Sequence, residues 1–201
     1  MDQLFIAVDH DSGDVFRVVP PEKPMETVLL KNRDVQKSLL KLNWTALGLC
    51  MDPRSAGTKK QYFFCMTTDK KLKRYNMPER TGDPDLMDDS DIAPAKEEYK
   101  GHEKIGNALQ TSNDGKWIIT GAQDGLVILR PLASIADTRL FKGHSPSFGG
   151  VTGIAFSFDS QYILSVGGNT FYTRAVPGAT PANGEEWVPT AFTELKVETP
   201  H

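Results

Sequence analysis

Residues 100–144 read KGHEKIGNALQTSNDGKWIITGAQDGLVILRPLASIADTRLFKGH and hold the most regular pattern of the chain. Gly101 and His102 stand near the start of the stretch, and Gly143 and His144 end it, so the two histidines lie 42 residues apart. Between them, two strand-like runs, WIIT and LVIL, each follow a turn that contains Asp-Gly. Short strands joined by tight turns at this spacing are what one blade of a β-propeller requires. The stretch therefore predicts an all-β fold built from such blades.

The spacing and the Gly-His start resemble the WD40 repeat, a propeller blade of about 40 to 45 residues. This resemblance implies a polar network that links the loop before the blade to the strands, and such a network is costly to break once it is buried. It places His102, Thr120 and Asp124 in the network, as the histidine, the strand hydroxyl and the turn aspartate. The corresponding positions of the next unit are His144, Ser165 and Asn169.

The repeat extends along the chain. The second turn of each unit holds an aspartate or asparagine at the same place. These residues are Asp11, Asp69, Asp124 and Asn169, with spacings of 58, 55 and 45 residues. Six residues later, where WD40 repeats usually carry tryptophan, stand Arg17, Tyr75, Arg130 and, with one turn residue deleted, Arg174. The chain therefore resembles a divergent member of the family in which arginine recurs at the tryptophan position.

These units divide residues 1–201, a partial β-propeller, into five parts. They are a half blade at 1–20, a blade at 43–77, an acidic insertion at 78–98, a blade at 99–142, and a last blade with a C-terminal strand at 143–192. The total is about three and a half to four blades, whereas propellers close with about four to eight. An open array exposes strand edges and apolar faces. We therefore expect a portion of a larger propeller, completed by missing blades from the same or another chain; closure with four blades is the alternative.

The insertion at 78–98 is rich in proline and acidic residues. Its acidic residues are Glu79, Asp83, Asp85, Asp88, Asp89, Asp91, Glu97 and Glu98. Such a composition buries too little apolar surface to offset the entropy of ordering, so it predicts a long mobile insertion between blades. The alternative is an acidic strip that docks a basic partner.

Composition narrows the classes of partner. The net charge of −3 argues against nucleic acid, because nucleic-acid-binding proteins usually carry a basic patch. The sequence has no run of 18 apolar residues, so we expect no membrane-spanning helix. The first residues do not resemble a signal peptide. Cys50 and Cys65 lie in apolar strand-like runs, which is typical of reduced core cysteines in an intracellular protein. We expect a cytoplasmic protein with no nucleic-acid or membrane partner.

Catalytic motifs are not evident in the sequence. Gly143, His144 and Ser145 are followed by Ser147 where a G-x-S-x-G nucleophile motif requires glycine. The four histidines, at positions 10, 102, 144 and 201, do not have the spacing of zinc ligands. The acidic loop at 9–14 lacks the rest of a calcium-binding EF-hand. The sequence therefore predicts a protein that is not an enzyme and has no metal or other cofactor.

What remains is a scaffold that binds other proteins. WD40-type propellers usually bind partners through the loops between the outer and inner strands, which here include residues 145–150. Phe148 in that loop is the candidate anchor, since exposed aromatic side chains often dominate interfaces. The alternative is that Phe148 packs beneath its own glycine-rich loop. Lys142 and Arg130 are further candidate partner-binding residues.

A narrower resemblance comes from residues 141–168, FKGHSPSFGGVTGIAFSFDSQYILSVGG, with DGLVILRPL before them. These segments resemble the WD-repeat cilia- and flagella-associated proteins of the axoneme. The resemblance implies a cilium or flagellum location and a role in linking axonemal dynein to microtubules, with dynein or tubulin as partner. The alternative is a general intracellular WD40 adaptor in a ubiquitin ligase, trafficking or RNA-processing complex.

The expected open array predicts the behaviour of the chain in solution. Because apolar blade faces would be exposed, we expect a dimer, a larger assembly or an open crescent. Light scattering combined with small-angle X-ray scattering measures both mass and shape. A compact monomer would show that the blades close by themselves and would contradict this expectation.

Overall fold

The computed structural model describes residues 5–8, 14–18, 40–42, 44–77, 92–93, 95–106, 108–179 and 193–196 of the chain. These residues form sixteen β-strands arranged in four sheets of four strands each. Two short 3-10 helices, Pro53–Ser55 and Pro146–Phe148, lie in connections between strands. Within this described part, no helix is long and apolar enough to cross a membrane.

Each sheet takes most of its strands in chain order. The first sheet contains β1 (Phe5–Val8), β2 (Asp14–Val18), β3 (Leu40–Leu42) and β7 (Ile92–Ala93). The second contains β4 (Ala46–Met51), β5 (Tyr62–Thr67), β6 (Leu72–Asn76) and β8 (Glu97–Tyr99). The third contains β9 (Ala108–Thr111), β10 (Trp117–Gly121), β11 (Leu126–Pro131) and β12 (Arg139–Lys142). The fourth contains β13 (Gly153–Phe156), β14 (Tyr162–Gly167), β15 (Thr170–Ala175) and β16 (Thr193–Lys196).

Neighbouring strands within a sheet are antiparallel, except that β3 and β7 pair in parallel. The first strands of successive sheets lie side by side, with β1 beside β4, β4 beside β9, and β9 beside β13. Four-stranded antiparallel meanders whose first strands meet in this way are propeller blades. The predicted all-β fold class is therefore confirmed.

The structure differs from the sequence-based boundaries in two places. The first unit is a whole four-stranded sheet rather than a half blade, because β3 and β7 are too short to give a pattern in the sequence. The acidic segment does not run as an insertion to residue 98, since Glu97–Tyr99 form β8 at the edge of the second sheet. There, Glu97 pairs with Arg74, with Oε1 3.0 Å from Nη1. The end of the last predicted unit, residues 180–192, lies outside the described residues, and a C-terminal strand, β16, begins at Thr193.

Each of the middle sheets is covered on both faces. Between the second and third sheets, Phe64, Met66 and Leu72 pack against Ile118, Leu132 and Ile135. Between the third and fourth sheets, Ile119, Val127 and Leu129 pack with Phe156, Ile163 and Val176. Consecutive residues of a strand point to opposite faces, so Ile118 and Ile119 serve two different interfaces. This explains why the strands of the third sheet have continuous apolar runs instead of alternating polar and apolar residues.

A buried carboxylate also joins the second sheet to the third. Asp52 has its side chain buried between two guanidinium groups, with Oδ2 2.8 Å from Nη2 of Arg54 and 2.7 Å from Nη2 of Arg74. Burial favours the neutral acid, but the hydrogen bonds and charges of the two arginines outweigh it and lower the pKa of Asp52. Arg54 also donates to the backbone carbonyl of Leu132 in the neighbouring sheet. The carboxylate therefore fixes an arginine that bridges two blades.

The two cysteines are free thiols in the second sheet. Cys65 on β5 is fully buried and Cys50 on β4 is partly buried. Burial raises the pKa of both thiols, to about 12 for Cys65. A thiol that stays protonated is a poor nucleophile and a poor metal ligand, so both side chains serve as core residues.

Core packing gives a matched pair of substitutions. Ile119 on β10 is fully buried between two sheets, whereas Leu164, its counterpart on β14, is only partly buried. We expect Ile119→Ala to lower the free energy of unfolding by about 3 kcal/mol, because it removes contacts and leaves a cavity. Leu164→Ala should cost less than about half as much, since part of its surface already contacts water. Urea unfolding followed by tryptophan fluorescence measures both; equal losses would contradict the two-sided burial of the third sheet.

Candidate functional site

One end of the sheets, called here the upper face, consists of the loops at 100–106 and 143–152 and the turns at 68–71, 122–125 and 168–169. Two observations place these loops and turns together. The backbone N–H of Gln123 donates to the carbonyl of Ile105 at 3.0 Å. The backbone N–H of Val151 donates to the carbonyl of Ala122 at 2.9 Å. The loop that precedes each blade is thus held on a turn between two of the strands.

The structure brings His102, Thr120 and Asp124 together. Nδ1 of His102 lies 3.1 Å from Oδ2 of Asp124, and Nε2 lies 2.9 Å from the hydroxyl of Thr120. Asp124 also accepts the backbone N–H groups of Glu103 at 2.8 Å and Leu126 at 3.0 Å. Burial lowers the pKa of His102, although the carboxylate of Asp124 opposes this effect. The side chains therefore tie the loop at 100–106 to β10 and to the following turn.

The fourth sheet has a related network with one different member. Nε2 of His144 lies 2.9 Å from the hydroxyl of Ser165, and Nδ1 lies 2.9 Å from the hydroxyl of Thr170. Asn169, which the sequence alignment placed here, is not the partner of His144. Counted between paired strand residues, the connection from Val166 to Phe171 is one residue shorter than the connection from Gly121 to Val127, so Thr170 takes the place of the carboxylate.

The second sheet has the aspartate without a histidine among its described partners. Asp69 stands in the turn between β5 and β6 and accepts from the hydroxyl of Thr67. Its Oδ2 lies 2.8 Å from Nζ of Lys73, whose side chain is buried on β6. Lys73 thus contacts Asp69 in the second sheet as His102 contacts Asp124 in the third.

The recurring arginine is a clamp on the upper loops. Arg130 donates from Nη2 to the carbonyl of Lys100 at 2.6 Å, and Arg174 donates from Nη2 to the carbonyl of Lys142 at 2.9 Å. The guanidinium of Arg130 passes so close to Gly101 that a side chain at that position would collide with it. Arg130 is only 2% exposed, so its prediction as a partner-binding residue is wrong. Its guanidinium lies between the carbonyls of Ile135 and Lys100, which both accept from it.

Phe148, the predicted anchor, lies on the surface. It ends the 3-10 helix Pro146–Phe148 and is 71% exposed, so it does not pack beneath its own loop. The first atoms of its side chain rest on Gly168, while the ring extends outward. Lys142 is also exposed, at the end of β12. Of the three candidate partner-binding residues, the structure places these two at the surface.

Sequence reasoning missed a second exposed aromatic residue. Phe158 is 95% exposed in the turn between β13 and β14, at the opposite end of the sheets from Phe148. The adjacent turn holds it, because the amide of Asn113 donates to the carbonyl of Phe158 at 3.0 Å and the N–H of Asp114 donates to the hydroxyl of Ser160 at 3.2 Å. The signal in the sequence is the pair of related turns, SNDG and SFDS, in which phenylalanine replaces asparagine.

The fold and these loops define a class of protein, one built of β-propeller blades. A family model described as WD domain, G-beta repeat (WD40) matches residues 95–129 and 136–172. These two segments cover most of the third and part of the fourth sheet, and they support the WD40 repeat family for this chain. No curated protein matches the sequence.

Solved structures with the same fold are numerous, with 664 matching chains, so the fold by itself does not select a partner. One of them, titled "Structure of U3-55K", aligns with a TM-score of 0.52 and 16% sequence identity. The alignment covers 70% of this chain and 39% of that chain. At this identity the likeness concerns the fold alone. The chain also spans well under half the length of that structure.

The network around Asp124 gives a test of the upper face. We expect Asp124→Ala to lower the free energy of unfolding by about 2 to 3 kcal/mol, because it leaves His102 and two backbone N–H groups without their acceptor. Asp137→Ala is the matched control, since Asp137 is exposed in the connection between β11 and β12. Urea unfolding of both variants measures the difference. Unchanged stability of Asp124→Ala would refute the role of this network.

Proposed function

We propose that this protein is a non-enzymatic scaffold that binds other proteins, with Phe148 as an anchor on the upper face. The observation that carries the proposal is the exposure of a large aromatic side chain on a loop whose backbone is fixed. Interface energy is concentrated in a few residues, and aromatic side chains are prominent among them. Burying a side chain of this size in a partner's pocket contributes roughly 1.5 to 3 kcal/mol.

The loop that carries Phe148 is ordered by its own hydrogen bonds. The N–H groups of Phe148 and Gly150 both donate to the carbonyl of Ser145 at 3.1 Å. The preceding blade contacts the loop as well, because Gly150 packs against Gln123 in the turn between β10 and β11. A side chain presented on a fixed backbone loses little conformational entropy when it binds, and this improves affinity.

Phe158 supports the scaffold interpretation from the other end of the sheets. The hydroxyl of Ser157 and the carboxylate of Asp159 shape its turn, so the phenyl ring itself is not needed for the turn to form. Two exposed aromatic residues on opposite ends allow one blade pair to contact two partners. Bringing two partners together is what distinguishes a scaffold from a simple binding domain.

We also propose that further blades, from the same or another chain, complete the propeller. The outer side of the fourth sheet supports this proposal, because Val166 is 39% exposed and Leu164 is only partly buried. The corresponding side of the third sheet, with Ile119 and Val127, is fully covered by its neighbour. A blade with apolar side chains would cover the outer side of the fourth sheet in the same way.

Two finer functions are compatible with this scaffold. One is an axonemal protein of cilia or flagella with dynein or tubulin as partner. This function is supported only by the sequence resemblance of residues 141–168. The other is a general cytoplasmic adaptor subunit of a multiprotein complex, and the WD40 matches favour the two equally. Binding of purified tubulin and purified axonemal dynein to the immobilised chain separates them. Binding of either protein at micromolar concentration supports the axonemal function. If neither protein binds, the adaptor function is favoured.

Substitution of Phe148 tests the anchor itself. We expect Phe148→Ala to weaken partner binding at least about tenfold, with no change in the unfolding midpoint, because the exposed ring makes few contacts within the chain. The measurement is quantitative affinity capture from cell extract, followed by titration of each captured and purified protein. Phe158→Ala is the matched control for partners of the upper face. Equal affinity of every captured protein for the wild type and Phe148→Ala would reject the anchor.

A further inference from the structure

The hydrogen bonds of His144 define which of its nitrogens carries a proton. Its side chain lies among β14, β15 and the loop at 145–150, and the residue is 4% exposed. The hydroxyl of Thr170 donates to the carbonyl of Gly167 at 2.8 Å, so its oxygen is left to accept the proton of Nδ1. In the neutral ring, Nε2 then accepts from the hydroxyl of Ser165. The observed contacts therefore place the proton of a neutral imidazole on Nδ1.

A second proton has no favourable place in this site. It would lie on Nε2 and point at the hydroxyl of Ser165, which would have to turn its own proton elsewhere. Among the described residues, Ser165 makes no other side-chain hydrogen bond that could receive it. A charged imidazole would therefore lose one of its two side-chain hydrogen bonds or leave a buried polar group unsatisfied.

The charged groups around His144 also disfavour its protonation. On β15, Arg174 is close enough to disfavour a second positive charge, and the ring of Tyr172 meets the imidazole edge-on with centroids 4.8 Å apart. Across the blade interface, Gly125 packs against the carbonyl of His144, but the carboxylate of the neighbouring Asp124 is engaged by His102. Burial lowers the pKa of His144, Arg174 adds to this effect, and only the carbonyl of Gly167 opposes it.

His102, the equivalent histidine of the third sheet, has a different partner at Nδ1. Its Nδ1 faces the carboxylate of Asp124, which stabilises an imidazolium, whereas Nδ1 of His144 faces a neutral hydroxyl. The two histidines hold equivalent loops on adjacent blades. Only the loop at 145–150 depends on a histidine that has no acidic partner among the described residues.

We propose that His144 is a pH-sensitive latch that holds the loop at 145–150 in its observed conformation only while the imidazole is neutral. Protonation leaves the hydroxyl proton of Ser165 without an acceptor among the described residues, places a second cation beside Arg174, and releases the loop together with Phe148. The latch is a property of the chain alone and does not depend on the proposed partner binding. Any contact made by Phe148 would nevertheless weaken as the loop opens.

Amide hydrogen exchange measures the latch directly. The N–H groups of Gly150 and Val151 report the closed loop, because each has a defined backbone acceptor. In the open state His144 regains its ordinary pKa of 6.5, so protons bind the open state more readily than the closed state. The closed loop is thus fully favoured above about pH 6.5 and loses stability as the pH falls below it. Between pH 7.5 and 5.5, the fraction of open loop should rise, by about tenfold at most if the closed loop takes up no proton, after correction for intrinsic exchange.

Two variants and two reference amides make the test specific. His144→Gln should abolish the pH dependence at Gly150 and Val151, because glutamine does not titrate, and His102→Gln should preserve it. The N–H groups of Ser112 and Leu132, which donate to the carbonyls of Trp117 and Lys116 in the third sheet, should change less than about twofold. A similar change at the reference amides, or a pH dependence that survives His144→Gln, would overturn the proposal.

The wild-type protein provides a second measurement should His144→Gln fail to fold. Nitrogen chemical shifts of the histidine ring distinguish the two neutral tautomers by NMR. The Nδ1-protonated form at pH 7.5, together with a rise in loop exchange as the pH falls, supports the latch. The Nε2-protonated form, or loop exchange that does not change with pH, rejects it.

Discussion

Burial of each sheet from both sides is the constraint on which the rest of the structure depends. Ile118 and Ile119 are consecutive on β10, yet each is fully enclosed, by the second sheet on one side and the fourth on the other. A single blade cannot achieve this alone, so its stability comes from its neighbours. The loops at the sheet ends can therefore vary in sequence, because the core is secured elsewhere. This leaves the ends of the blades available for binding.

Polar side chains then fix the loops on this apolar framework. His102 and His144 reach from the loops to strand hydroxyls, while Arg130 and Arg174 hold the backbone just before each histidine. In the second sheet, the same turn is stabilised by a lysine, which pairs with Asp69. The recurring requirement is a buried donor that satisfies the turn, and the chemical identity of that donor varies between blades.

Much of the fold follows from local patterns that the sequence displays. Turn residues such as Asp124 and Gly125, and the repeated Gly-His pairs, depend on local backbone geometry and could be recognised before the structure was known. The two strands β3 and β7 could not, because three and two residues are too few to show a period. Thr170 replaces Asn169 through a one-residue change in turn length, which only the strand register reveals. Burial of Arg130 and exposure of Phe158 depend on neighbouring sheets, and a single sequence does not record which residues those sheets cover.

The arginine clamp has a consequence for how such repeats change over time. Gly101 leaves the space through which Arg130 reaches the carbonyl of Lys100, and Gly143 has the same relation to Arg174. A larger residue in place of either glycine would have to displace the guanidinium, so what the glycine position tolerates depends on the residue at the arginine position. The two positions are therefore epistatic. A repeat that keeps the arginine is constrained to keep the glycine, whereas a repeat that has lost the arginine is released from that part of the constraint.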